Sequence, residues 1–271
     1  MSDSGMRSPF FSPNPVILAH RGDSAEYPEN TLPAFESAQR IGVDVIETDV
    51  HLSRDGEVII WHDETLGRTT DGTGPVERYT YAQLLEFDAA WQFTKDGGKS
   101  FPFRGTGVKL LRLAEALEKL PDMRFNVDLK QNDTDLADAF CKLVLDFGAE
   151  DRVLCASFHT PVLQYVRRTY PMITTSIAEH EVKRLLIMQK LHIPIRQKWV
   201  PGMAFQVPVS RGGIKVITPG FIRTFHRLGI AIQVWTINDE SQMRQLLKMG
   251  VDGIFTDNPR LLKQVVADIK Q

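Results

Sequence analysis

Short runs rich in β-branched residues alternate with longer amphipathic stretches along most of this chain. That rhythm predicts repeated strand–helix units and a parallel sheet. Eight runs read as strands: Val16–His20, Val43–Val50, Phe125–Leu129, Arg152–Ala156, Met172–Ile177, Met203–Val207, Ile230–Thr236 and Gly253–Thr256. The helical stretches include Thr31–Ile41, Leu113–Leu120, Thr134–Phe147, Pro161–Arg168, Pro219–Leu228, Glu240–Met249 and Pro259–Ile269. Gly229 and Gly250 fall just past two of these helices, where a left-handed residue ends the turn. Asn258 and Pro259 supply a cap and a first-turn proline for the last helix. Eight strands are the number that closes an α/β barrel of the (β/α)8, or TIM, type. A doubly wound open sheet is the rival, but it would carry a glycine-rich dinucleotide turn after its first strand. His20-Arg21-Gly22-Asp23 is not that turn.

The rhythm breaks once. Between Val50 and Leu110 a short extended run, Glu57–Trp61, leads into an excursion rich in Gly, Thr and charge. This predicts an insertion or cap at about 64–110, between the second strand and the second barrel helix, lying over the active mouth. The rest of 15–271 reads as a single domain, and the Ser- and Pro-rich residues 1–14 as a flexible segment.

Composition narrows the class. The chain has 271 residues, 42% apolar and 24% charged, with a formal net charge of −2. No basic field exists to attract nucleic acid or an anionic membrane. Two cysteines, Cys141 and Cys155, sit among apolar neighbours in no ligand pattern and read as buried thiols. With no signal-peptide pattern and no apolar run long enough to span a bilayer, the expectation is a cytoplasmic enzyme that makes no stable membrane insertion. Its oligomeric state is open.

Chemistry gathers at the strand tips, where barrel enzymes place their catalytic groups. Glu47 and Asp49, spaced by two, share one face of the second strand, as Asp128 and Lys130 do on the third. Buried carboxylates that converge from neighbouring strands repel one another unless a cation intervenes. Glu47, Asp49 and Asp128 therefore suit a hard divalent ion, Mg²⁺ or Ca²⁺; the alternative is a salt-bridge network in which Arg21 and Lys130 neutralise them. Arg21 and Lys130 also suit phosphate, as a bidentate grip and a point charge. His20 and His62 bracket the acidic pair and read as an acid–base couple for phosphodiester cleavage, although either could ligate a metal. His159 stands open between substrate contact and structure. His51 is expected to face away, and His180, His192 and His226 to lie at the surface.

These residues resemble the glycerophosphodiester phosphodiesterase family, of bacterial cytosolic type. Ala19-His20-Arg21-Gly22 with Pro28-Glu29-Asn30-Thr31 looks like its first signature, and Glu47-Thr48-Asp49-Val50 with His62-Asp63 like its second. Arg68-Thr69-Thr70, Gly72-Thr73-Gly74, Ser157-Phe158, Val234 to Asn238 and Gly250 to Gly253 continue the likeness, which spans roughly Val16 to Leu262. The resemblance implies metal-dependent hydrolysis of a small-molecule glycerophosphodiester to an alcohol and glycerol 3-phosphate. It implies His20 and His62 as acid and base, Arg21 and Lys130 at the phosphate, and Glu47, Asp49 and Asp128 as ligands of Mg²⁺ or Ca²⁺. Trp235 matches a pocket aromatic of the family, and Phe158 is expected beside it on the substrate. The sequence departs from the family in carrying Asp128 where Glu is usual, Gly67 where an Asp is common before the Arg, and Val108 to Leu113 in place of an Ile-Pro-Thr-Leu entry. A lysophospholipase D-like or sphingomyelinase D-like lipid phosphodiesterase is the rival enzyme, with Trp91, Phe93, Phe101 and Phe103 of the insertion as its apolar surface. A non-catalytic phosphodiester-binding barrel is the rival of another class, and it would have lost a chemical position; His20, Arg21, Glu47, Asp49, His62 and Lys130 are all present.

Overall fold

The computed structural model describes residues 9–270. Its strands are β1 (Val16–His20), β2 (Val45–Leu52), β3 (Val58–Ile60), β4 (Leu111–Arg112), β5 (Arg124–Leu129), β6 (Val153–Ala156), β7 (Thr174–Thr175), β8 (Ala204–Val207), β9 (Ser210–Arg211), β10 (Ile214–Lys215), β11 (Ala231–Val234) and β12 (Gly253–Thr256). Its helices are α1 (Leu32–Ile41), α2 (Tyr81–Leu84), α3 (Leu113–Lys119), α4 (Thr134–Asp146), α5 (Thr160–Thr169), α6 (Glu179–Lys190), α7 (Pro219–His226), α8 (Glu240–Met249) and α9 (Pro259–Lys270).

Eight of the strands pair in parallel in the order β7-β6-β5-β2-β1-β12-β11-β8. The ring closes between its ends through one parallel bridge, Ser176 to Ala204. The Met203 amide donates to Thr175 at 2.9 Å and the Ile177 amide to Ala204 at 2.9 Å across that junction. All eight strands read from the sequence take part, so the TIM barrel is the architecture and the open sheet is excluded. The run Met172–Ile177 is thinner than its composition predicts, with only two residues in a ladder.

Strand alternation sorts the side chains into two cores. Residues such as Ile17, Ala19, Ile46, Val50, Phe125 and Val127 face outward and join the large cluster under the helices. Their neighbours face the lumen, and along each strand this inward row turns from apolar to polar: Val16, Leu18, His20 on β1; Val45, Glu47, Asp49 on β2; Ala231, Gln233, Trp235 at β11. The lower lumen is a dry cluster of Val16, Leu18, Val45, Leu154, Ala204, Ala231 and Phe255. Phe10 and Phe11 complete it, 1% and 4% exposed, and their turn is held by Arg124 Nη1 donating to the Phe10 carbonyl at 2.7 Å. Phe10 and Phe11 are therefore packed, against the expectation of a flexible segment, while Ser12 to Asn14 are exposed; residues 1–8 of that expectation lie outside the described residues.

The segment after β2 folds back as β3, antiparallel to β2, and β4 pairs antiparallel to β3. Between β3 and β4 the chain packs around its own small core of Ile59, Trp61, Leu66, Val76, Leu84, Ala89 and Leu110. Several elements were not read from the sequence: α2 and β4, within and after the insertion, α6, and the β9–β10 hairpin that follows β8. Among the described residues no helix is long and apolar enough to cross a membrane. Cys141 and Cys155 are both buried and free.

Candidate active site

The mouth of the barrel opens on a cavity of about 430 Å³. His20, Arg21, Glu47, Asp49, His62, Asp128, Lys130, Phe158 and Trp235 all line it. Every site residue expected from the sequence thus reaches one cavity.

Local backbone explains how. Arg21 has a φ of 58° and Gly22 a φ of 86°, so β1 ends in two left-handed residues that turn the chain across the mouth. A Cβ on Gly22 would lie 2.8 Å from Ala34, so only glycine fits there. The turn aims the Arg21 amide at Glu47, 2.9 Å from its carbonyl and 3.1 Å from Oε2. Asn30, also left-handed at φ 57°, returns the loop to the site and donates to Asp49 Oδ2 at 3.0 Å.

The two histidines are held alike. His20 Nδ1 lies 2.7 Å from Asp257 Oδ1, and His62 Nδ1 lies 2.5 Å from Asp63 Oδ1. A carboxylate at Nδ1 keeps the proton on that nitrogen, which leaves Nε2 as the nitrogen that exchanges protons. The environments differ. Burial would lower the His20 pKa, but Glu47 and the Asp257 bond outweigh it and the pKa is raised. Burial lowers that of His62, and Lys130 and Arg21 overcome the pull of Asp49, so it stays low.

Three carboxylates and two cations fill the floor. Lys130 Nζ lies 2.7 Å from both Asp49 Oδ1 and Asp128 Oδ2. Arg21 Nη1 donates to Glu29 at 2.8 Å, while its Nε lies 3.3 Å from Asp49 Oδ2. For Asp49, burial is outweighed by Lys130 and Arg21, which hold its pKa at about 2. Glu47 is pushed up to about 7 by burial and by the neighbouring Asp49 charge. Burial also raises Asp128 in spite of Lys130.

This is the salt-bridge arrangement that the sequence admitted as an alternative. Among the described residues no three His, Cys, Asp or Glu side chains form a ready ligand cage. The network is nevertheless incomplete in two places. Asp128 Oδ1 is a buried acceptor, and Arg21 Nε a buried donor, without a hydrogen-bond partner. The unmatched Asp128 acceptor, in a cavity that Glu47 and Asp49 also line, fits a hard cation, and the unmatched donor fits an anion.

Several site residues went unassigned in the sequence reading. Glu29 and Asn30 lie in a loop, and only its left-handed turns bring them back to Arg21 and Asp49. Asp257 is 237 residues from His20 and becomes its neighbour because β1 and β12 are adjacent. Among the other histidines, His159 Nε2 contacts the Lys130 carbonyl at 3.1 Å and His51 Nε2 the His62 carbonyl at 3.2 Å. His226, expected at the surface, is half-buried with Nε2 2.7 Å from Asp252 Oδ2, at the opposite end of the barrel from the mouth. The insertion aromatics pack among themselves: Phe93 meets Phe103, Phe103 meets Tyr27, and Arg104 stacks on Trp91 and Phe101. The apolar wall lies elsewhere, in Ile177, Val182, Leu186, Val207, Ile214 and Val216 from α6 and the hairpin side of the cavity.

A TIM barrel with paired histidines, an arginine and a lysine at its mouth has the build of a phosphoric diester hydrolase. Residues 20–261 match the model of the Glycerophosphoryl diester phosphodiesterase family, and the chain belongs to that family. A glycerophosphodiester phosphodiesterase from Bacillus altitudinis is 32% identical over 262 residues, covering 94% of this chain and 99% of that one. A lysophospholipase D from Rattus norvegicus is 24% identical, covering 91% of this chain and 84% of its own. Among solved structures, an Oleispira antarctica phosphodiesterase in complex with the product sn-glycerol-3-phosphate has a TM-score of 0.74 at 25% identity, covering 95% and 99% of the two chains. The glycerophosphoryl diester phosphodiesterase domain of a Mycobacterium tuberculosis protein, at 22% identity and a TM-score of 0.81 over 93% and 99%, shares the fold.

Proposed function

We propose that this chain hydrolyses glycerophosphodiesters to an alcohol and sn-glycerol 3-phosphate, and that it does so with a divalent metal, Mg²⁺ or Ca²⁺. The observation that carries the reading is the pair of carboxylate-held histidines, displaced in opposite directions from their ordinary pKa, at one cavity that also holds Arg21 and Lys130. Glu47, Asp49 and Asp128 would hold the metal, which when bound supplies positive charge against the non-bridging phosphoryl oxygens. Arg21 binds the phosphate through its guanidinium, whose Nε makes no hydrogen bond in the protein, and Lys130 adds a point charge.

His62, neutral near pH 7, accepts through Nε2 the proton of the attacking hydroxyl as the new P–O bond forms. His20, whose pKa is raised, acts as the acid and donates its Nε2 proton to the alcohol oxygen as the old P–O bond breaks. Attack by water gives the products at once. Attack by the glycerol's own hydroxyl gives a cyclic phosphate that water then opens, with the same two groups exchanging roles. Trp235 and Phe158, whose ring centroids are 6.0 Å apart, cover the organic part of the substrate.

Release of glycerol 3-phosphate from glycerophosphocholine, with Mg²⁺, with Ca²⁺ and with EDTA, tests the reading. Release with either metal that EDTA abolishes supports it; metal-independent release removes the metal, and no release removes the substrate. A second reading, action on monoacyl lipid diesters, is favoured by the apolar wall of α6 and the hairpin, and lysophosphatidylcholine in the same assay measures it.

A further inference from the structure

The insertion sends one charged side chain into the barrel's business. Arg68 ends a 3-10 turn, Leu66–Arg68, whose Leu66 is fully buried in the insertion's own core. Its guanidinium faces two carboxylates at once. Nη1 and Nη2 donate to Glu29 at 2.9 and 2.5 Å, and Nε donates to Asp63 at 2.5 Å. Glu29 Oε1 in turn accepts from Arg21, and Asp63 Oδ1 is the partner of His62. The result is a continuous chain, Arg21–Glu29–Arg68–Asp63–His62, that joins the loop after β1, the end of β3 and the insertion.

We propose that Arg68 is a positioning residue: it fixes Glu29 and Asp63 so that the phosphate-gripping Arg21 and the proton-accepting His62 are presented together. This rests on the phosphodiesterase reading above. The physical case is one of satisfied geometry. Without a guanidinium between them, Glu29 and Asp63 are two carboxylates without a shared cation, and each is free to turn toward water. With Glu29 turned away, Arg21 is left with Asp49 and Glu47, whose charges draw it down to the floor and away from the substrate. His62 loses the carboxylate that holds its Nδ1 proton, and with it a single orientation of Nε2. Only a planar fork bridges both acids; a lysine ammonium is a point charge and reaches one of them well. Arg68 touches neither substrate nor reacting atoms, and no alternative partner for it is drawn from the cavity wall.

A simple staple that fastens the insertion to the barrel would show the same bonds, so the test separates the two. Arg68→Ala and Arg68→Lys are assayed on glycerophosphocholine and on a glycerol 4-nitrophenyl phosphodiester, whose leaving group departs without a proton, with Tm measured alongside. The expected result is a loss in kcat/KM of roughly 10- to 100-fold for Arg68→Ala on both substrates, an intermediate loss for Arg68→Lys, and recovery of part of the Arg68→Ala loss by added guanidinium. In a Glu29→Gln/Asp63→Asn background Arg68→Ala should cost little more. His20→Ala, by contrast, should recover on the nitrophenyl diester; if it does not, the acid assignment fails and the Arg68 proposal is judged on the guanidinium recovery alone. Arg68→Ala activity within about threefold of wild type, or losses that add in full to those of the two carboxylate variants, overturns the proposal.

Discussion

His20 and His62 have the same kind of partner at the same ring nitrogen, yet their surroundings push them apart, and the pH profile should show it. Each begins from 6.5; His20 is raised and His62 lowered. On the proposed roles, a base that must be neutral fails as pH falls through its pKa, so the acid limb of kcat/KM would belong to His62 and lie below 6.5. An acid that must be charged fails as pH rises through its pKa, so the alkaline limb would belong to His20 and lie above 6.5. Asp257→Asn removes a bond that raises His20 and should move the alkaline limb to lower pH while leaving the acid limb in place. A kcat/KM profile of the two enzymes checks the sign, and an alkaline limb that stays where it was refutes the assignment. At this scale the sequence was informative where spacing alone decides geometry. Asp128 and Lys130, two apart on a strand, do meet at 2.7 Å. It placed Glu29 and Asn30 in a motif but gave them no role, because a loop has no periodicity and their return to the site depends on left-handed turns. It offered the pairing of Lys130 with the acids only as an alternative, since that is a matter of charge balance among side chains from different strands.

The elements show a similar division. The barrel strands were legible because two-residue periodicity and β-branched composition coincide in them. The helix α6 was not: of its twelve residues only Glu181 and Leu185 are buried, so no apolar stripe marks it. The β9–β10 hairpin is held by two residue pairs across Gly212 and Gly213, too short to register as strands. The helix α6 and the hairpin together form the apolar side of the cavity, where Glu179 is shared by Lys183 at 2.7 Å and Arg211 at 3.0 Å. Ile214 lines the cavity and is still 51% exposed, an apolar side chain left half-covered by the described residues. If a long alkyl chain lies there, Ile214→Asp should lower kcat/KM for a long-chain lysophosphatidylcholine by about tenfold or more, while glycerophosphocholine changes by less than about twofold. Equal losses on the two substrates would place Ile214 in the fold rather than in substrate choice.

For the molecule as a whole, the lumen is stoppered from below by a segment that composition alone marks as loose. Phe10 fills the base of the barrel among Val16, Leu18, Val45 and Phe255. Its position in a Ser- and Pro-rich stretch hides this, because no strand or helix pattern announces a plug. Phe10→Ala should cost about 3–5 kcal/mol of stability. Urea denaturation measures it, and a loss under about 1 kcal/mol would mean that the lumen closes without the ring.

The barrel's single closing bridge, Ser176 to Ala204, also divides the chain in a way that bears on its history. His20, Arg21, Glu47, Asp49, His62, Asp128 and Lys130 all come from residues 20 to 130, on or just beyond neighbouring strands, with Asp257 alone reaching His20 from the far end of the chain. The apolar wall comes from both sides of the junction that is held by fewest bonds. Sequence drift there can reshape what the enzyme accepts, one hairpin or helix turn at a time, without disturbing the groups proposed to cut the phosphodiester. A lineage built on this plan can exchange one leaving alcohol for another and keep its chemistry.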